Sequence, residues 1–141
     1  MKGAVTYRFV SRPTPADANG IITIYKAQGW WRRATRARLD RLIRGSLCFV
    51  VAERDGRIIG MGRAIGDGVS DAYLQDIAVL KCERGAGAGA GMVRALTRRL
   101  RRGGVRWIAL IAQDGSEPFY SGLGFTRLKN AAPMLIKGAR V

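Results

Sequence analysis

Residues 84–91 read Arg-Gly-Ala-Gly-Ala-Gly-Ala-Gly, side chains so small that the main chain can lie directly against a ligand. The stretch before them carries Leu74, Ile77, Ala78, Val79 and Leu80, too continuous for a one-sided surface strand and suited to the middle of a sheet. The stretch after them has Met92, Val93, Leu96 and Leu100 at helical spacing, with Arg94, Arg98, Arg99, Arg101 and Arg102 on other faces. A strand, a glycine turn and a helix start in this order leave backbone amides without partners, at the end of the helix where the dipole adds roughly half a positive charge. The chemistry this predicts is capture of an anion, a diphosphate in particular, by main-chain nitrogens.

Two phosphate-binding patterns fit poorly. A P-loop needs Lys and then Ser or Thr after its last glycine, where this chain has Gly91-Met92. A dinucleotide-binding turn matches Gly85-x-Gly87-x-x-Ala90, but it calls for an acidic residue about 20 positions on. Here the helix runs into Arg101-Arg102-Gly103-Gly104-Val105, and the preceding strand lies deep inside the chain.

Groups that could exchange protons are few. The 141 residues contain no histidine, and the glutamates are Glu53, Glu83 and Glu117. A histidine base is therefore excluded, and with Cys48 and Cys82 isolated from one another neither a protein-ligated transition metal nor a disulfide framework is expected. The formal charge of +15, mostly arginine, favours polyanionic partners and disfavours polycationic ones such as polyamines. No apolar run reaches the ~18 residues of a membrane helix and Met1-Lys2-Gly3 opens no signal peptide, so a cytoplasmic protein with no membrane partner is expected.

The elements that must position this turn follow in chain order. Val5 to Val10 reads as a first strand, and Thr14 with Pro15 and Asp17 starts a helix towards Gln28-Gly29, although Asn19-Gly20 interrupts its pattern. Leu39, Leu42 and Ile43 form the apolar stripe of a second helix after Trp30-Trp31. Leu47–Glu53 and Arg57–Ile65 are strands joined by the hairpin signal Asp55-Gly56, giving an antiparallel meander that feeds the motif strand. Beyond the arginine-rich helix, strands are predicted at Val105–Ala112, Gly122–Leu128 and Met134–Lys137, with a short helix around Tyr120 capped by Ser116.

Asp76-Ile77-Ala78-Val79 followed by Arg84-Gly85-Ala86-Gly87-Ala88-Gly89, the pattern Arg/Gln-x-x-Gly-x-Gly/Ala, resembles the acetyl-CoA signature of the GNAT superfamily of N-acyltransferases. Glu117-Pro118-Phe119-Tyr120-Ser121-Gly122-Leu123-Gly124-Phe125 resembles the second signature of the same superfamily, a short helix running into a Gly-Phe strand. The resemblance covers most of the chain, from Val5 to Lys137. It implies a single N-acetyltransferase domain over residues 1–141 with an α/β (α+β) fold. The sheet it implies is mixed and mostly antiparallel, of six or seven strands, splayed at the central strand and flanked by about four helices.

The resemblance also implies direct transfer of an acetyl group from acetyl-CoA to a primary amine, in a small molecule or a peptide, within a ternary complex. Main-chain groups of Ile77, Ala78 and Val79 would pair with the pantetheine arm. Amides of Gly85, Ala86, Gly87, Ala88, Gly89 and Ala90 would hold the diphosphate, with charge added by Arg84. Tyr120 matches the tyrosine that protonates the departing thiolate, a task suited to a phenol of reference pKa ~10; Phe119 is assigned to the core. Asp76 is the nearest carboxylate and serves either as base or as a tie for neighbouring backbone. Tyr73 and Gln75 offer to order a water instead, Gln113 and Asp114 to border the cleft, and Trp30 and Trp31 to line the acceptor side or simply pack. Pairing of two copies through the last strands is implied as well. Two other readings remain: an acyl-CoA-binding sensor of the same fold, and a basic nucleic-acid-binding protein using the arginines of 31–44 and 94–102.

Overall fold

The structure, a computed structural model, describes residues 1–138. Its elements are β1 (Thr6–Phe9), α1 (Pro15–Ala27), α2 (Arg36–Gly45), β2 (Cys48–Arg54), β3 (Arg57–Gly66), β4 (Asp71–Val79), a 3₁₀ turn (Lys81–Glu83), α3 (Ala88–Arg102), β5 (Trp107–Ala109) and α4 (Glu117–Ser121). The strands form one mixed sheet in chain order, antiparallel from β1 to β4 and parallel between β4 and β5.

Local chemistry accounts for the element boundaries. The Thr14 hydroxyl accepts from the Asp17 amide while the Asp17 carboxylate accepts from the Thr14 amide, a reciprocal cap that starts α1 at Pro15. Asn19-Gly20 does not interrupt that helix, because Gly20 is where it crosses β3: a Cβ there would sit 3.1 Å from Ile58. Asp55 and Gly56 both have positive φ, 51° and 74°, as a two-residue hairpin turn requires.

Alternation along the strands builds two cores. Val50, Ala52, Ile59, Ala64 and Leu74 face α3 and its Met92, Val93, Leu96 and Leu100. Phe49, Val51, Met61 and Ala78 face Ile21, Ile24, Tyr25, Leu39 and Ile43 of α1 and α2. Each fully buried aliphatic or aromatic side chain contributes about 1.5–3 kcal/mol, so the two layers fix the sheet from both sides.

Among the described residues five strands form, fewer than the six or seven expected. The predicted strand over 122–128 fails because its first amides are already used: Leu123 and Phe125 donate to Tyr120 C=O and Gly124 donates to Ser121 C=O, wrapping the chain around the end of α4. Over 134–137 no strand pairing forms, and Met134, Leu135 and Ile136 are each more than 90% exposed. The strand expected over 105–112 shrinks to Trp107–Ala109, since β4 offers it partners only at Asp71, Ala72 and Tyr73.

Tyr7 of β1 lies on the first turn of α3 and occupies the space that a Cβ at Gly91 would need. Gly91→Ala therefore costs about 1–3 kcal/mol by overpacking, seen as a lower urea midpoint. In a Tyr7→Ala background the same change gains up to about 1 kcal/mol, because alanine is the better helix former. A similar loss in both backgrounds refutes this packing.

Candidate active site

The site begins at an irregularity in β4. Met61 pairs with Ala78 and Arg63 with Gln75, so Asp76 and Ile77 together stand opposite the single residue Gly62. The extra residue is accommodated by Asp76 in the left-handed region, at φ 56°. Before it Leu74 points at α3; after it Ile77 and Val79 do, and Ala78 turns to the other core. Gly62 leaves room for the bulge, because a Cβ there would meet Ile77 Cδ1 at 2.6 Å and force that side chain to shift.

A polar cluster holds the bulge. Asp76 Oδ2 accepts from the Tyr25 hydroxyl at 2.7 Å and from Arg63 Nε at 2.7 Å. Arg63 also donates to Ser46 Oγ, which caps back to Leu42 C=O. Burial and the adjacent Asp76 carboxylate push the Tyr25 phenol well above its ordinary pKa, so it stays a donor. Its ring stacks on Trp31 at 4.1 Å, over which the Arg38 guanidinium sits at 4.6 Å. Trp31 is thus a packing residue, and Trp30, 43% exposed, meets Tyr25 only edge-on.

Downstream of the bulge β4 has a free edge. Leu80 N–H donates to Ile59 C=O on β3, so the antiparallel alternation turns Ala78 towards β3 and Ile77 and Val79 to the other side. That side is open, because β5 pairs with β4 no farther than Tyr73. Arg84 Nε donates to Val79 C=O at 3.1 Å across it, which ties the arginine to the strand it follows.

The gap leads to the head of α3. Gly85 and Gly87 have φ of 87° and 83°, conformations that a side chain would strain. Among the described residues no backbone acceptor takes the amides of Gly85, Ala86 or Gly87, and the first bond of the helix is Gly91 N–H to Gly87 C=O. Ala88, Gly89 and Ala90 carry the orphan amides of the first helical turn. Phe119, assigned above to the core, is 40% exposed and lies 3.3 Å from the Cβ position of Gly89.

Tyr120 sits between Phe119 at 4.9 Å and Phe125 at 5.9 Å. Burial raises its pKa above that of an ordinary phenol. It faces a cavity of ≈ 730 Å³ around β5 that Tyr73, Trp107 and Ile111 also line, within the size range of small-molecule sites. A bulged strand with a free edge, unpaired amides at a helix head and a protonated phenol beside a cavity are together suited to holding a long anionic donor.

The family of acetyltransferases described as GNAT matches residues 17–125. This chain belongs to the GNAT acetyltransferase family. It is 31% identical to an uncharacterized N-acetyltransferase, ycf52-like, of Prochlorococcus marinus, over 85% of this chain and 69% of that protein. It is 40% identical to the chloroplastic serotonin N-acetyltransferase 2 of rice, over 79% of this chain and 58% of that one. An acetyl-CoA-containing structure from Clostridium acetobutylicum superposes with a TM-score of 0.69, covering 94% of this chain and 96% of the other, and at 20% identity it shows a shared fold.

The GNAT chain uses residues that sequence reading passed over. Tyr25 and Arg63 were hidden because each looks like an ordinary helix or strand residue. Among the described residues no group of His, Cys, Asp and Glu is placed to hold a metal, and no helix is long and apolar enough to cross a membrane.

Replacing Asp76 tests the cluster. Asp76→Ala loses both donors and places alanine at positive φ, a cost of about 2–4 kcal/mol in urea unfolding. Asp76→Asn, which tolerates that φ and still accepts a bond, costs about half as much. Equal costs for the two variants contradict the assigned role.

Proposed function

We propose that residues 1–141 form a single domain that transfers the acetyl group of acetyl-CoA to a primary amine by direct attack in a ternary complex. One observation carries this reading: the unpaired amides of Gly85 to Ala90 lie at the head of α3, where the free edge of β4 leads. Ile77 and Val79 offer the pantetheine arm a strand edge, and the helix head offers the diphosphate six amides and a dipole. Arg84, partly engaged by Val79, adds charge beside it. The acetyl-CoA held by the Clostridium structure supports the donor, and the rice relative is named for serotonin, a primary amine.

Tyr120 is the proton donor to the departing thiolate. Asp76 positions the bulge, its Oδ2 already taken by the Tyr25 hydroxyl and Arg63 Nε. The attacking amine is therefore one that arrives neutral. The +15 charge helps, since a positive field favours the uncharged amine over its ammonium form and repels polycationic acceptors. Acceptors are small-molecule or peptide amines.

Tyr120→Phe should lower kcat about 10²-fold with the KM for acetyl-CoA within a few-fold, measured by thiol release. Because burial raises the Tyr120 pKa above that of a free phenol, the phenol stays protonated through the neutral and mildly alkaline range, so its loss of a proton causes no fall in kcat between about pH 7 and 9. An alkaline limb near pH 8 that Tyr120→Phe abolishes contradicts the assignment. Absence of thiol release from the wild-type protein across an amine panel points instead to an acyl-CoA sensor.

A further inference from the structure

We infer that Tyr7 is a positioning residue for the coenzyme diphosphate: its hydroxyl fixes the peptide group joining Gly87 to Ala88, and with it the amides at the head of α3. The inference rests on the diphosphate site proposed above. Tyr7 donates to Gly87 C=O at 3.3 Å, and the same oxygen accepts from Gly91 N–H at 3.0 Å. Two donors on one carbonyl set the plane of that peptide. A trans peptide is flat and its N–H points opposite to its C=O, so the Ala88 N–H is aimed outward from the helix start.

Glycine cannot hold such a plane alone. Gly87 caps α3 at φ 83°, no side chain caps the helix, and a Cβ at Gly85 or Gly87 would meet nothing within 4 Å. At these two glycines the loop therefore has no side chain to pack or to cap the helix, and glycine has the widest choice of backbone conformations to lose. Tyr7 supplies the missing restraint from another element, 80 residues away in sequence. Its ring rests in the notch left by Gly91, and two residues on, Phe9 packs under the Arg99 guanidinium at 4.3 Å, so β1 is anchored to α3 at both ends of the contact. Donation into Gly87 C=O also polarises the peptide, which makes its N–H a stronger donor to an anion.

The test compares acetyl-CoA with acetyl-pantetheine, a thioester donor that stops short of the diphosphate, in the wild type and in Tyr7→Phe. Wild-type kcat/KM should favour acetyl-CoA by tenfold or more. Tyr7→Phe should lower kcat/KM for acetyl-CoA about three- to tenfold through KM, with kcat within twofold, and leave acetyl-pantetheine unchanged. Titration with CoA should show the same loss of affinity without turnover. Gly91→Ala, which displaces the Tyr7 ring, should lose at least as much, and adding Tyr7→Phe to it should cost nothing further. An unchanged acetyl-CoA KM in Tyr7→Phe, or equal losses with both donors, overturns the role of Tyr7. A wild type that treats the two donors alike overturns the diphosphate site, and the inference with it.

Discussion

The carboxylate of Asp76, bound at once by the Tyr25 hydroxyl and the Arg63 guanidinium, is the constraint on which the site depends. It keeps a non-glycine residue at φ 56° and so keeps one extra residue in β4. A shift of one residue exchanges the two faces of a strand. By placing the shift mid-strand, the chain sends Leu74 and then Ile77 and Val79 into the same core while changing which backbone groups face β3. The free edge near Val79 follows from that exchange and from the early end of the β4–β5 ladder.

The glycine turn and the helix after it were legible in sequence for physical reasons. Gly85 and Gly87 are recognisable because only glycine adopts their φ cheaply, and the helix after them because Met92, Val93, Leu96 and Leu100 keep one face. Thr14-Pro15-x-Asp17 and Asp55-Gly56 are local signals, and both elements form where those residues place them. The meander and the splayed central strand follow the expected plan as well.

What sequence could not show was long-range. The Tyr25, Arg63 and Asp76 cluster joins three elements, and nothing within any one of them marks the meeting point. The strands expected over 122–128 and 134–137 failed because a strand is defined by its neighbour: apolar residues there suggested burial, but the amides of Leu123, Gly124 and Phe125 were claimed locally by α4. The role of Gly91 was equally invisible, since within an alternating Gly-Ala run it looks like its neighbours and is distinguished only by Tyr7 across the fold.

The brevity of the β4–β5 ladder also has a mechanical meaning. Three parallel pairs join β5 to a four-stranded meander whose own ladders are all longer, so the seam between them is the shortest line of pairing in the sheet. Such a seam can breathe without melting either core. A ligand whose arm lies along it becomes an additional rung bridging the two parts, and its binding free energy is then expressed as cohesion of the protein itself.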